Sequence, residues 1–547
     1  MQKNVYGLAF VAFALTACAR TTAPTAPDAA GARRIEAHVR FLADDLLEGR
    51  QAGTRGYELA ALYVATELRA LGLEPAGEGG SYFQNVPMVQ GERIAEGARF
   101  EIERDGKRTA LAFETDYLPN VVYGDPNPSL TAPMVFVGQA ISAPELKHDD
   151  FAGVDLQGKV AVIFGNAPPT FSNDQRAYYA WRMQKSGALV AHGAVGVIYV
   201  NDPRDEAKRP WERGAKNWRL PGMRLLDEQL KPVDDFPELR GGVILRSGAA
   251  EVLFEGSGHT AAEVFKLLEQ GKLQSFPLTG TVTLAQSSSF TEVISRNVVA
   301  RLPGSDPKLA AEHVVFSAHL DHLGIGAEVD GDTIYNGALD NAMGIGVMLE
   351  AARRFTAERD RPRRSILFLA VTAEEKGLLG SDQFTRRPTV PFDSLVANVN
   401  MDMPLLLMPM RDVVPIGLEH SDLQGMVEQA AHELGVTLSP DPFPEETVFV
   451  RSDQLAFIKR GIPAVYLDGG VLAVDPKVDV KAAQREFLKD HYHLPSDDTS
   501  QAIHYPDAAR LAALNERIGL AIANAPERPR WNEGDFFGTR FPRTPAP

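Results

Sequence analysis

Two hydrophobic periods alternate along the chain. Near the amino end, Ile35, Val39, Leu42 and Leu46 repeat at helical spacing up to Gly49. The pattern recurs over residues 57–71, with Ala61, Val64, Ala65 and Leu68 on one face and Gly72 as the stop. Short β-type segments are expected around 99–103 and 109–113. From about residue 125 the apolar runs 134–137, 160–164 and 195–200 predict strands, with a helix ending near His192 between the last two. A further region opens at Asn297-Val-Val-Ala-Arg-Leu-Pro303. Here expected strands at 314–317, 366–371, 396–401 and 464–467 alternate with helices, one carrying Ile345, Met348, Leu349, Ala352 and Phe355. Continuous apolar strands joined by crossovers predict an α/β fold with a mostly parallel central sheet, buried on both faces and flanked by helices. Pro506 suits the first position of a last helix through Leu511, Leu514 and Ile518, and the tail from Pro526 is expected along the surface.

Composition narrows the function classes. At 547 residues, with 44% hydrophobic and 23% charged residues, the chain has room for two to four ordinary globular domains. A formal charge of −16 argues against nucleic acid as a partner, because binding it needs a positive face. The basic clump Arg361-Pro-Arg-Arg364 reads as a solvated turn. Cys18 is the only cysteine, which leaves no internal disulfide and makes a thiol nucleophile a poor candidate. It ends an apolar run from Val5 to Ala17 that follows Lys3, too short to span a bilayer comfortably. Leu15-Thr-Ala-Cys18 resembles a bacterial lipobox, which implies a lipidated Cys18 and a place in the bacterial cell envelope. An ordinary secretory signal with an incidental cysteine is the alternative.

The chemistry gathers at expected strand ends. Ser317-Ala-His-Leu-Asp-His-Leu-Gly324 and Asn336-Gly-Ala-Leu-Asp-Asn-Ala-Met-Gly344 place His319 and Asp321 after a strand and Asp340 where a helix N-cap would sit. The 366–371 strand runs into Ala373-Glu374-Glu375, the 396–401 strand into Asp402, and His491-Tyr-His493 lies further on. In an open parallel sheet these ends share one edge, where ligands bind. Asp340, Glu374, Glu375 and Asp402 together carry four negative charges, which need cations nearby. Two Zn²⁺ would balance them, with His319 and His493 as neutral nitrogen ligands.

With this order of residues the chain resembles the co-catalytic zinc exopeptidases of the bacterial leucyl aminopeptidase and glutamate carboxypeptidase type. The resemblance implies that His319 binds one zinc and Asp321 orients it. It further implies that Asp340 bridges both zincs, Glu375 and Asp402 each bind one, and His493 completes the second site. Glu374 would be the general base. Relatives also hold a cis bond after the bridging aspartate, here Asp340–Asn341. Arg451-Ser-Asp453 and Gly461-Ile-Pro463 look like later landmarks of the family, but Gln454 stands where a His often follows. His322 and His491 are read as neighbours of ligands rather than ligands, and Tyr492 as a possible oxyanion donor. Asp149 to Lys159 and Gly193 to Ile198 resemble a protease-associated domain, with Lys185 and His192 in structural roles.

The expected division is a signal peptide at 1–17, a flexible tether at 18–30, and a catalytic domain in two parts, 31–124 and 289–527. A protease-associated insertion at 125–288 separates the parts, and a tail follows at 528–547. The expected function is removal of amino-terminal residues from peptides, with membrane contact only through the lipid on Cys18. The segment 320–339 supplies acids and no Lys or Arg, which favours an α-amino group over a carboxylate, with Lys376 and Arg451 as the exceptions. A carboxypeptidase or aminoacyl cyclase on the same scaffold, and a metal-free receptor-like binding protein, remain as alternatives.

Overall fold

The computed structural model describes residues 28–543. Cys18, the expected signal peptide and most of the tether lie outside them, as do the last four residues of the tail. Helices α1 (Ala29–Leu42) and α2 (Arg55–Ala70) open the fold, capped by Asp28 and Thr54 side chains that accept from Gly31 and Tyr57 N–H groups. The first helix ends earlier than the apolar spacing predicts. Leu46 falls instead in a tight turn, Asp45–Arg50, where Glu48, Gly49 and Arg50 take positive φ.

The long strand β1 (Phe83–Arg104) then leads into a second unit built on β2 (Ser129–Phe136), β3 (Val160–Phe164), β4 (Gly196–Val200) and β5 (Gly242–Leu245). β2 to β5 pair in parallel in that order. Val160, Val162 and Phe164 enter one apolar core of this unit, and Ala161 and Ile163 enter another. The 27-residue strand β6 (Phe276–Leu302) returns the chain. It pairs antiparallel with β1 along most of its length and with β2 at its start, so one hydrogen-bonded sheet runs from the second unit into the first. Position 288 lies inside β6, with no linker there.

The first unit is completed by β7 (His313–His319), β8 (Ser365–Val371), β9 (Leu395–Asn400), β10 (Asp412–Ile416) and β11 (Ala464–Gly469). The spatial order is β10-β11-β9-β7-β8-β6, parallel from β11 to β8 and antiparallel at β10 and β6. The central sheet is thus mixed and mostly parallel, as the apolar runs predict. Val314, Phe316 and Ala318 of β7 pack with α1, α2, α3 (Met343–Ala357) and α4 (Tyr505–Asn524). Val315 packs on the opposite face with Leu367, Leu369, Phe384 and Phe457. Burial on both faces is why these strands read as unbroken apolar runs. β10 escapes the pattern because it is short and contains Pro415, which suits a strand near a sheet edge. Among the described residues, no helix is long and apolar enough to cross a membrane.

Candidate metal centre

His319 is the last residue of β7, and the carboxyl ends of β7, β8 and β9 bring three loops together. His319 Nε2 lies 3.2 Å from Asp340 Oδ1 and 3.0 Å from Asp402 Oδ1. The other oxygen, Asp340 Oδ2, lies 3.2 Å from His493 Nε2, which is also 3.2 Å from Glu375 Oε2. Asp340 therefore stands between two imidazoles, one on each oxygen. Glu374 joins His319, Asp340 and Asp402 in lining a cleft of about 520 Å³.

Asp340 is not an N-cap. The segment Ala338–Ala342 forms an irregular turn with a cis Asp340–Asn341 bond, and α3 starts only at Met343. Asp340 N–H donates to Asp497 Oδ2 at 3.0 Å, and Leu339 N–H to Asp497 Oδ1 at 2.9 Å. The Asp340 side chain is thereby free to face the histidines instead of closing its own helix. Asn341 ties this turn to the β9 loop: its Nδ2 donates to Met401 O at 3.0 Å and its Oδ1 accepts Met403 N–H at 2.9 Å. Tyr466 Oη donates to Asp402 O at 2.6 Å. Asp402 is thus fixed from two sides.

Asp321 acts on the glutamates. Its carboxylate accepts Glu374 N–H at 3.0 Å and Glu375 N–H at 3.3 Å, while its backbone carbonyl lies 3.1 Å from His319 Nδ1. The buried Arg50 guanidinium donates to Leu320 O (2.9 Å), Asn336 O (2.6 Å), Gly337 O (3.1 Å) and Leu42 O. It binds the loop after His319 to the loop before Asp340. Gln454 bridges in the same manner: it accepts from Asn400 Nδ2 at 2.8 Å and donates to Phe449 O at 3.0 Å.

The electrostatics call for positive charge. Burial opposes the charged form of His493, but Glu375 and Asp340 outweigh it and lift the imidazole to about 10. His319 is likewise raised against burial by Asp402 and Asp340. Burial, reinforced by Glu375 and Asp402, pushes Glu374 well above the usual carboxylate range. Two donor groups are each compact enough to hold an ion: His319, Asp340 and Asp402, and His322, Asp340 and Glu375. His493 reaches the second pair of carboxylates as well. Glu375 Oε1 and both ring nitrogens of His322 are buried without hydrogen-bond partners. Imidazole and carboxylate donors in this spacing, with unpartnered atoms among them, fit a divalent metal such as zinc.

Residues 297–518 match the family model described as peptidase family M28. Mouse "Aminopeptidase NAALADL1" is 25% identical over 315 residues, covering 49% of this chain. The Escherichia coli "Alkaline phosphatase isozyme conversion protein" is 32% identical over 105 residues, covering 18% of this chain and 28% of its own length. The chain spans 38% of the mouse relative's length. An aminopeptidase from Aneurinibacillus sp. strain AM-1 has the same fold, with a TM-score of 0.52 at 18% identity over 91% of this chain and 95% of that one.

The remaining expected residues fall outside the cluster. His491 Nδ1 pairs with Ser496 Oγ at 2.9 Å, and the His192 ring stacks on Phe151 at 3.8 Å. Lys185 donates to Gln139 O and Asn166 O, and burial brings its amine down to about 7. Tyr492 stacks on His493 at 3.8 Å and lines the cleft. Sequence reasoning missed Arg50 and assigned no role to Asp497, although Asp497 lies four residues after His493 in a segment already marked by its histidines. Of the cleft's cations it named only Arg451. Lys208, Arg209, Arg451, Arg485 and Lys489 line the cleft, so the surroundings are not uniformly acidic. None lies in the acidic 320–339 loop: Lys208 and Arg209 come from the second unit, and Arg485 and Lys489 from the helix Val480–Asp490 just before His493. Lys208 Nζ pairs with Glu446 at 2.6 Å, and Arg485 lies 4.9 Å over the Phe443 ring.

Proposed function

We propose that the protein is a di-zinc exopeptidase that removes amino-terminal residues from peptides with a free α-amino group. One observation carries the two-metal part: the two oxygens of Asp340 face different histidines, each with its own further carboxylate. His319 and Asp402 would hold one zinc, Glu375 and His493 the other, with Asp340 shared. Bound zinc supplies Lewis acidity, which acidifies a water and polarises the scissile carbonyl.

The protein's own residues do the rest. Glu374 takes the proton of the attacking water and passes it to the leaving amine. Asp321 holds the Glu374 and Glu375 backbone, and so sets where the base stands relative to a ligand. Asp497 and Asn341 fix Asp340 and the Asp402 loop. Rigid support of this kind keeps a reacting geometry within the few tenths of an ångström that turnover requires.

The preference for an amino terminus rests on the acidic residues Asp441 and Asp468 in the cleft and on the partnering of Lys208 and Arg485. A second reading, recognition of a terminal carboxylate, is favoured by Arg209, Arg451 and Lys489 in the same cleft. A panel of matched peptides tests the choice. Amino-terminal acetylation should abolish cleavage while carboxyl-terminal amidation leaves it intact; the reverse pattern assigns the second reading. We further propose that the unit built on β2 to β5 is a protease-associated insertion that walls the cleft through Lys208 and Arg209. Anchoring through a lipid on Cys18 in the bacterial cell envelope completes the proposal. Mass spectrometry of the mature amino terminus tests it.

A further inference from the structure

His322 has no part in the ligand set above, yet its surroundings are those of a ligand. It follows Asp321 at the end of β7, and its side chain is fully buried. Nδ1 stands 2.8 Å from Glu375 Oε1 and 3.7 Å from Asp340 Oδ2. Despite that approach, neither ring nitrogen has a hydrogen-bond partner, and neither has Glu375 Oε1. A buried imidazole with both nitrogens unpaired is uncommon and calls for an explanation. Donor atoms that share a tetrahedral zinc stand roughly 3.3 Å apart, given metal–ligand distances of about 2.0–2.2 Å. The 2.8 and 3.7 Å separations of Nδ1 from Glu375 Oε1 and Asp340 Oδ2 fall on either side of that spacing, so a small shift of the ring would let all three donors share one ion.

The ring is held in place from several sides. His322 N–H donates to Arg50 O at 3.3 Å. Gly337, at φ +61°, lies against the ring, and a Cβ there would stand 2.5 Å from His322 Cγ. The ring meets His493 edge to face, with centroids 5.8 Å apart. Both imidazoles thus adjoin Asp340 and Glu375.

We propose that His322 ligates the second metal through Nδ1. That metal would have two imidazoles, His322 and His493, with Asp340 and Glu375. The first would have one, His319, with Asp340 and Asp402. The inference rests on the two-metal reading. It makes the sites unequal: imidazole nitrogen favours zinc and its transition-metal neighbours over magnesium, so a chelator empties the His319 site first.

X-ray absorption at the zinc edge, on the full chain loaded to saturation, counts imidazole ligands directly. Three imidazoles on two metals predict an average of about 1.5 per zinc, and the expected ligand set without His322 predicts about 1. His322→Ala should bring the count down to about 1 and raise the second metal's dissociation constant ~10–100-fold in competition with a chelating dye. A wild-type count near 1 with two zincs bound overturns the role of His322 and leaves the two-metal reading standing. Saturation at one zinc overturns that reading and this inference with it. Because the wild-type count decides the matter, failure of the variant to fold does not protect the proposal.

Discussion

Asp497 holds Asp340 by its backbone. The two carboxylate oxygens of Asp497 accept the N–H groups of Leu339 and Asp340 at 2.9 and 3.0 Å, which orients the Asp340 carboxylate between His319 and His493. Burial lifts Asp497 to about 6, so its environment is costly for a charge and is offset by these bonds. Asp497→Asn keeps the volume but replaces one acceptor with an NH₂ donor. Zinc affinity should fall ~10–100-fold, the usual effect of losing support for a ligand. Competition with a chelating dye measures it, and an unchanged affinity would show that Asp340 is oriented by its turn alone.

Glu374 and Glu375 are adjacent but should separate on substitution. Glu374→Gln removes the proton acceptor and leaves the donors around Asp340 untouched, so both zincs should remain while turnover falls ~10²–10⁴-fold. Glu375→Gln should instead lose zinc. If Glu374→Gln retained turnover with both zincs bound, the base would have to be reassigned.

Metal binding should release protons. In the metal-free protein the His493 pKa is raised to about 10, so its imidazole is charged at neutral pH and must lose its proton to ligate. The apparent zinc affinity should therefore rise with pH throughout the range from about 6 to 9. Calorimetry in buffers of different ionisation heat should show proton release at neutral pH. An affinity independent of pH over that interval would contradict the charge balance described for the site.

Arg50 is a structural clamp with a functional consequence. Its buried guanidinium serves four backbone carbonyls, including Leu320 O and Gly337 O on the two loops that carry His319 and Asp340. Arg50→Met would leave those carbonyls unsatisfied, at about 1–3 kcal/mol for each one that finds no water. We expect a loss of at least ~3 kcal/mol in chemical denaturation, together with weaker zinc binding. Arg50→Lys should not restore stability, since an ammonium lacks the planar fork that reaches several acceptors.

The sheet was legible in the sequence wherever strands are buried on both faces, because residues 314–318 of β7 and all of β8 are then apolar or small, and Asn398 alone interrupts β9 before its end. Residues that sit at those ends, His319, Glu374, Glu375 and Asp402, were legible for the same reason. Asp340 was placed as an N-cap because an acid before a helix usually is one; the turn that follows it, with its backbone N–H given to Asp497, has no periodic signature. Arg50, Lys208 and Arg209 were hidden by distance along the chain. Arg50 lies 270 residues from the carbonyl of Leu320, and nothing local in the sequence marks that pairing. His322 was set aside because a histidine beside a ligand is more often a neighbour, and only its unpartnered nitrogens change that reading.

The central claim is a shared pair of metals around Asp340, and metal content titrated against activity tests it most directly. Protein freed of metal should regain peptide hydrolysis as zinc is added, reaching full turnover at about two equivalents per chain by elemental analysis. Full activity in protein shown to contain no metal, or saturation of activity at one equivalent, would contradict the account.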